Sequence, residues 1–140
     1  MNRQEISLPR KLVNQLLHQA QLAADTEVCG LIGADQSGLP CRCYPITNSA
    51  ATPQNRFLLD AGQQIAAMQT MRERAETWFG IYHSHPHSPA IPSVTDIEQA
   101  VYPAAVHLII SLNTKGVLEL RAYCIKDKTI QEYNLSLIEA

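Results

Sequence analysis

Two histidines separated by a single serine, His83 and His85, are the residues whose spacing most directly indicates chemistry in this sequence. They fall in an apolar segment that predicts a β-strand, and side chains at positions i and i+2 of a strand project from the same face. We therefore expect the two imidazoles to form a chelating pair. A proline-rich loop follows, and a predicted helix start at Ser93 places Asp96 in the first helical turn. Two histidines and one carboxylate leave a fourth tetrahedral position open, as in catalytic zinc sites.

Hydrolysis at such a site also needs a base, and Glu27 is the candidate. A bound metal lowers the pKa of its water from about 15.7 to about 7 and polarises a carbonyl. A base must still take the water proton and pass it to the leaving amine. Glu27 stands at the start of a short apolar run, where an unpaired buried charge is costly. A hydrogen bond to a metal-bound water would explain a carboxylate at that position.

Simpler interpretations exist for each of these residues. His83 and His85 are compatible with ordinary polar positions on a half-exposed strand, although the pair and its downstream carboxylate favour a metal. Ser93 and Asp96 have the spacing of a capping box, which taken alone indicates only a helix start. Glu27 alone is more typical of a solvated strand end. It is the combination of these positions that predicts a site.

The remaining histidines and cysteines are weaker candidates. His87 lies in the proline-rich loop and is either a substitute ligand or, as we favour, a rim residue. His18 and His107 are expected on the surface and on a sheet face. Cys29 would share a strand face with Glu27, where core packing is favoured over a role as nucleophile. The spacing of Cys41 and its neighbour at position 43 is too short for a zinc knuckle.

The elements expected around these residues mix early helices with late strands. Helices are predicted over residues 7–24, 60–76 and 93–102, with Ser7 and Asp60 as caps. Ile65, Met68 and Met71 are expected on one face of the second helix. Strands are predicted over residues 27–34, 39–46, 78–84, 105–112, 117–125 and 129–135, with a brief strand at 57–59, a turn at 35–38 and a loop at 47–56. This order favours one α+β domain.

Composition excludes several classes of protein. The chain has 140 residues, which is about one domain, and its 46% hydrophobic and 17% charged residues are incompatible with intrinsic disorder. A net charge of −2 gives no basic excess for nucleic acid. No stretch approaches the ~20 apolar residues of a membrane span. The start of the chain lacks an apolar leader and the four cysteines resemble cytosolic thiols, so a cytoplasmic location is expected.

These positions together resemble the JAMM (MPN-plus) metalloprotease family. The motif of that family is a distant Glu, then His-Ser/Thr-His, seven residues, Ser, two residues and Asp. Glu27, His83 to His85, Ser93 and Asp96 match it without a gap or substitution. The segments Glu-Val-Cys-Gly-Leu-Ile-Gly and His-Ser-His-Pro are similar to those of small, stand-alone prokaryotic JAB-type members.

The resemblance implies a fold, a site and a substrate class. The fold would be a single MPN/JAB-like domain over residues 1–140, an α+β mixed β-sheet flanked by helices with a cytidine-deaminase-like outline. His83, His85 and Asp96 would bind one Zn²⁺, Glu27 would be the general acid/base, and Ser93 would hydrogen-bond the developing oxyanion. The substrate would be a peptide or isopeptide bond at the C-terminal Gly-Gly of a ubiquitin-like or ThiS/MoaD-like sulfur-carrier protein, whose tail could add as a strand to a sheet edge.

The chain departs from the larger members of that family. Eukaryotic deubiquitinases of this type carry insertions that hold ubiquitin, whereas a tight turn is predicted here at residues 113–116. Selectivity for polyubiquitin chains is therefore not expected. The main alternative is a non-catalytic MPN-type interaction module, and a cysteine hydrolase using Cys29 is a weaker one. A zinc deaminase is disfavoured because His-x-Glu and Pro-Cys-x-x-Cys are absent. Oligomeric state and the identity of the substrate are left open.

Overall fold

A seven-stranded mixed β-sheet forms the centre of the molecule in a computed structural model that describes residues 4–113 and 118–139. The elements are β1 (Glu5–Pro9), α1 (Arg10–Leu22), β2 (Cys29–Ala34), β3 (Pro40–Ile46), α2 (Ala61–Glu73), β4 (Thr77–His85), α3 (Val94–Gln99), β5 (Val106–Ser111), β6 (Glu119–Lys126) and β7 (Thr129–Ile138). The strand order is β1-β7-β6-β5-β4-β2-β3. The pairs β1–β7 and β4–β5 are parallel and the other pairs are antiparallel. The predicted α+β class is confirmed.

Helices cover both faces of the sheet. Neighbouring residues of β4 separate the two layers, because successive side chains of a strand point to opposite faces. Tyr82 packs in a core with Leu12 and Leu16 of α1. Ile81 packs in a second core with Met71 of α2. His83 and His85, which follow Ile81 at two-residue intervals along β4, therefore lie on the α2 face.

The predicted first helix begins too early. Ser7 lies in β1, pairs with Ser136 of β7 and caps no helix. α1 starts only at Arg10, after Pro9, and has no side-chain cap. Leu8 lies in a strand, but it is fully buried in the same core as the leucines of α1. Its spacing from those leucines therefore looks helical although its backbone is not. Pairing with a strand distant in sequence overrode the local pattern.

Smaller differences concern the ends and faces of elements. Of the three residues expected on one face of α2, Met71 is buried and Met68 packs against the same core, but Ile65 is 59% exposed. The brief strand expected at 57–59 is reduced to one bridge between Asn48 and Leu59. α3 ends at Gln99 rather than at 102. The turn predicted at 113–116 lies mostly outside the described residues, as does the predicted start of β6 at 117.

Other local predictions are confirmed. Asp60 caps α2 through a hydrogen bond from the Gln63 amide. In the turn between β2 and β3, the Asp35 carboxylate accepts hydrogen bonds from the Ser37 and Leu39 amides, and Gly38 adopts a φ of 88°. Among the described residues, no helix has the length and apolar character that crossing a membrane requires.

Candidate metal centre

The end of β4 presents both histidines to the α2 face of the sheet. His83 and His85 are each almost completely buried, and their Nε2 atoms lie 3.0 Å apart. The Oδ2 atom of Asp96 is 3.1 Å from each of these nitrogens. The same-face projection predicted from the spacing is thus present. Three atoms of the types that bind zinc converge on one point.

A capping box on α3 positions the carboxylate. Ser93 Oγ accepts a hydrogen bond from the Asp96 amide at 3.0 Å, and Asp96 Oδ2 accepts one from the Ser93 amide at 2.9 Å. The helix start that the spacing predicted is therefore real. It also orients Asp96 towards the two histidines, so capping and metal binding are compatible functions of one carboxylate.

The neighbours of each histidine ring fix its orientation. His85 Nδ1 lies 2.7 Å from the carbonyl oxygen of Pro89. A carbonyl only accepts, so Nδ1 carries the hydrogen and Nε2 of the neutral ring directs its lone pair into the cluster, as in many metal sites. The His83 ring stacks on Phe57, with centroids 4.3 Å apart and planes 24° apart. Its Nδ1 is buried without a hydrogen-bond partner among the described residues.

Glu27 approaches the cluster from the segment just before β2. Its carboxylate is one of four groups whose ligand atoms all lie within 4.8 Å of one another, the others being the two histidines and Asp96. Glu27 is 5% exposed, and its Oε1 atom has no hydrogen-bond partner in the described part of the chain. A buried carboxylate oxygen without a partner is costly and marks a place for a missing group.

Burial and charge shift the pKa values of these groups in different directions. Burial raises the pKa of Glu27 to about 7, and the charge of Asp96 adds to this while His85 opposes it. Burial disfavours ionised Asp96, but the two histidines outweigh it and hold its pKa far below the ordinary value. Burial lowers the pKa of His83. Burial opposes the charged form of His85, but hydrogen bonds to Asp96 and the Pro89 carbonyl, together with the charges of Asp96 and Glu27, outweigh it and raise its pKa.

Two other candidates from the sequence lie outside the cluster. His87 is exposed and is not among the four converging groups. Cys29 is fully buried, and its Sγ donates to the carbonyl of Ile46 at 3.4 Å. Burial, with the charge of Glu27, raises the pKa of the Cys29 thiol to about 12. A nucleophilic cysteine needs a lowered pKa, so Cys29 is a core residue.

Sequence reasoning missed two residues beside the cluster. Phe57 lay in a predicted strand, and nothing in its local sequence points to the stack on His83. His107, expected on a sheet face, is 5% exposed and its Nε2 has no partner within the described residues. Burial lowers the pKa of His107 to about 4. Its place opposite Ile81 in the β4–β5 pair could be found only from the strand register.

A cavity of about 390 Å³ opens beside the cluster, between α2 and the end of α3. Ile81 and His83 of β4 and His107 of β5 form the floor that the sheet gives it, and Asp96 also lines it. The other lining residues are mostly apolar: Phe57, Leu58, Leu59, Gln64, Gln99, Ala100, Val101 and Tyr102. The volume lies in the range of pockets that hold small ligands. An apolar group of a bound molecule therefore fits directly beside the converging ligand atoms.

Comparison with known proteins identifies the family. Residues 9–123 match the model of prokaryotic homologues of the JAB domain. The chain is 33% identical to the CysO-cysteine peptidase of Mycobacterium tuberculosis over 129 residues, which cover 91% of this chain and 88% of that protein. It is 31% identical to a desampylase of Haloferax volcanii over 116 residues, covering 79% and 84%.

Solved structures agree in fold. Protein DSY2949 of Desulfitobacterium hafniense superposes with a TM-score of 0.87 at 33% identity, covering 96% of this chain and 94% of that one. The JAB1/MPN domain protein AF2198 of Archaeoglobus fulgidus has a TM-score of 0.60 at 18% identity, covering 99% and 100%. The second likeness concerns the fold alone and confirms the predicted JAB/MPN-like architecture. The chain therefore belongs to the prokaryotic JAB family and is a hydrolase of the JAMM type.

Proposed function

We propose that this protein is a metallopeptidase that hydrolyses a peptide or isopeptide bond at the C-terminal Gly-Gly of a ubiquitin-like or sulfur-carrier protein. The observation that carries the proposal is the buried convergence of His83, His85 and Asp96 beside the partnerless oxygen of Glu27. A purely structural or interaction module has no need for such a costly arrangement.

The residues fit one zinc ion. Two imidazole nitrogens and one carboxylate oxygen are a donor set that zinc accepts, and they leave a coordination position open. The hydrogen bond from His85 to Pro89 holds one ligand in the required tautomer. A zinc ion held by His83, His85 and Asp96 would supply an activated water and a Lewis acid for the substrate carbonyl.

Glu27 is the proposed general acid/base. Its carboxylate lies within 4.8 Å of the other candidate ligand atoms, and burial raises its pKa, which favours its taking a proton from a water and passing it to a leaving amine. Its burial excludes bulk water that would compete for the proton. The same carboxylate can therefore accept the proton of the water and donate it to the leaving amine.

Ser93 is the proposed donor to the developing oxyanion. Its Oγ accepts from the Asp96 amide, and this bond does not use the hydroxyl hydrogen. The hydroxyl lies at the N-terminus of α3 and within the capping box that contains Asp96. A donor held in place before the reaction stabilises negative charge more effectively than a mobile one.

The substrate class is inferred from the relatives. Besides the CysO-cysteine peptidase and the desampylase, a probable TtuB-protein conjugate cleaving protease of Thermus thermophilus is 34% identical over 59 residues, 42% of this chain. Two of these names describe a bond from a named protein, CysO or TtuB, to cysteine or to another protein. A tail with two glycines would pass a narrow site because it presents only backbone. We further propose that residues 1–140 form one domain and that the protein acts in the cytoplasm.

Cleavage of fusion proteins tests the proposal. A ubiquitin-like protein ending in Gly-Gly would be joined either to cysteine or, through an isopeptide bond, to lysine, and the products identified by mass spectrometry. We expect cleavage after the second glycine by the zinc-loaded chain and by Cys29→Ala, and its loss in Glu27→Gln. Intact fusions in the presence of the zinc-loaded wild type, or equal cleavage by Glu27→Gln, would contradict the proposal.

A further inference from the structure

Asn48, the second residue after β3, uses every hydrogen-bonding position of its side chain. Its Nδ2 donates to the carbonyl oxygens of Glu27 and Arg56, each at 3.0 Å. Its Oδ1 accepts from the amides of Ala50 and Leu58, also at 3.0 Å. An asparagine amide has two donor hydrogens and an oxygen with two lone pairs. The side chain is therefore saturated by backbone groups from two segments of the chain.

One of those segments carries the proposed general acid/base. The carbonyl of Glu27 accepts from Asn48, and the amide of Glu27 donates to the carbonyl of Pro53 at 2.7 Å. Both backbone polar groups of Glu27 are thus bound by the loop of residues 47–58. Glu27 precedes β2, so strand pairing does not hold it. The loop therefore supplies the hydrogen bonds to the Glu27 backbone that a neighbouring strand would otherwise make.

The other segment, at residues 56–58, contacts one of the proposed metal ligands through Phe57. Asn48 Oδ1 binds the amide of Leu58, and the Leu58 carbonyl accepts from the Ser49 amide at 2.8 Å. These two bonds close the loop immediately after Phe57. Phe57 is the residue whose ring stacks on His83 at 4.3 Å. The Oδ1 atom of Asn48 therefore fixes the backbone next to Phe57, and so the position of the ring that stacks on His83.

We propose that Asn48 is a positioning residue that holds Glu27 and the Phe57–His83 stack in one frame. The inference rests on the proposed function of Glu27 and deepens it. The donor side of the amide ties the carbonyl of Glu27 to that of Arg56, and the acceptor side binds the amide of Leu58, directly after Phe57. Because the two sides are chemically different, one substitution removes both donor bonds while keeping both acceptor bonds.

Asn48→Asp is that substitution. A carboxylate still accepts from the amides of Ala50 and Leu58, but it cannot donate to the carbonyls of Glu27 and Arg56. Asn48→Ala removes both functions. Asn55→Ala is the matched control, because Asn55 is an exposed asparagine of the same loop. Kinetics on a Gly-Gly fusion substrate and NMR of the metal-free protein would be measured for all three variants.

In the metal-free protein we expect Asn48→Asp to speed hydrogen exchange of the Glu27 amide and to keep the ring-current shift that Phe57 imposes on His83. Asn48→Ala should change both signals and Asn55→Ala neither. In the zinc-loaded protein, Asn48→Asp should lower kcat by on the order of 10²-fold, the cost of a misplacement of about 1 Å, with KM little changed. Asn48→Ala should lower kcat and raise KM.

The inference is overturned if Asn48→Asp retains the kcat of the wild type, or if the exchange of the Glu27 amide is unchanged. The wild type provides a check that needs no folded variant. The Nδ2 hydrogens of Asn48 should exchange far more slowly than those of Asn55, and equal rates would contradict the arrangement. Both NMR measurements use metal-free protein and need no turnover. They therefore test the positioning by Asn48 even if the protein does not hydrolyse the proposed substrate.

Discussion

The side chain of Ser84 accepts a hydrogen bond from the amide of Val28 at 2.9 Å, and the Ser84 amide donates to the Val28 carbonyl at 3.0 Å. Ser84 is the residue between the two histidines, and Val28 follows Glu27. The serine side chain points to the opposite face from its neighbours, yet it ties the strand of the proposed ligands to the segment of the proposed base. Its place in the motif therefore has a structural reason.

Ser84→Ala tests this connection. The substitution removes the hydroxyl that accepts from the Val28 amide. Ser84 is fully buried, so water does not readily replace this acceptor. We expect the free energy of unfolding to fall by about 1 kcal/mol, as for the loss of one hydrogen bond, and hydrolysis to slow because the base segment is released. Urea unfolding and turnover would both be measured. Ser136→Ala, which removes a serine contact with β1, should leave turnover unchanged; equal turnover in both variants would refute the connection.

Glu27→Gln separates metal binding from proton transfer. The amide keeps the size of the side chain but cannot take a proton, so turnover should fall by at least about 10²-fold while zinc content is retained. Steady-state kinetics would measure the turnover, and elemental analysis would measure the zinc content. Glu98→Gln, at an exposed position of α3, is the control and should remain active. Unchanged turnover in Glu27→Gln would remove this residue from the mechanism.

The raised pKa of Glu27 also predicts how pH affects the metal-free protein. The folded state favours the protonated acid, whose pKa rises from 4.5 to about 7. Stability from this group is therefore full below about pH 4.5 and is lost as the pH rises through 7. We expect Glu27→Gln to become more stable relative to the wild type between pH 5 and pH 8, as measured by urea unfolding with a chelator present. A difference that stays constant or reverses would show that the carboxylate is not desolvated.

The convergence of the three candidate ligands could be predicted from the sequence because its determinants are local. His83 and His85 share a face by the alternation of a strand, and Asp96 is oriented by a cap three residues after Ser93. The same rules predicted the Asp60 cap and the hairpin turn. Each of these features needs only a few neighbouring residues.

The failures involve contacts between distant segments. Leu8 fits a helical pattern, but its strand pairs with β7 at the other end of the chain. His107 becomes part of the cavity floor only through the parallel pairing of β5 with β4. Asn48 looks like any loop asparagine until the segment of Glu27 is placed beside it. Register and loop closure decide these positions, and no local period encodes them.

The most direct test of the central claim is the zinc content per chain after mild chelation of loosely bound metal. Wild type, Asp96→Ala and His85→Ala would be compared by elemental analysis, with the exposed His87→Ala as the control. Four free cysteines make the mild chelation necessary. We predict about one zinc ion in the wild type and in His87→Ala, and little in the other two variants. No zinc in the wild type, or equal zinc in all four proteins, would contradict the assignment of this cluster as a catalytic metal site.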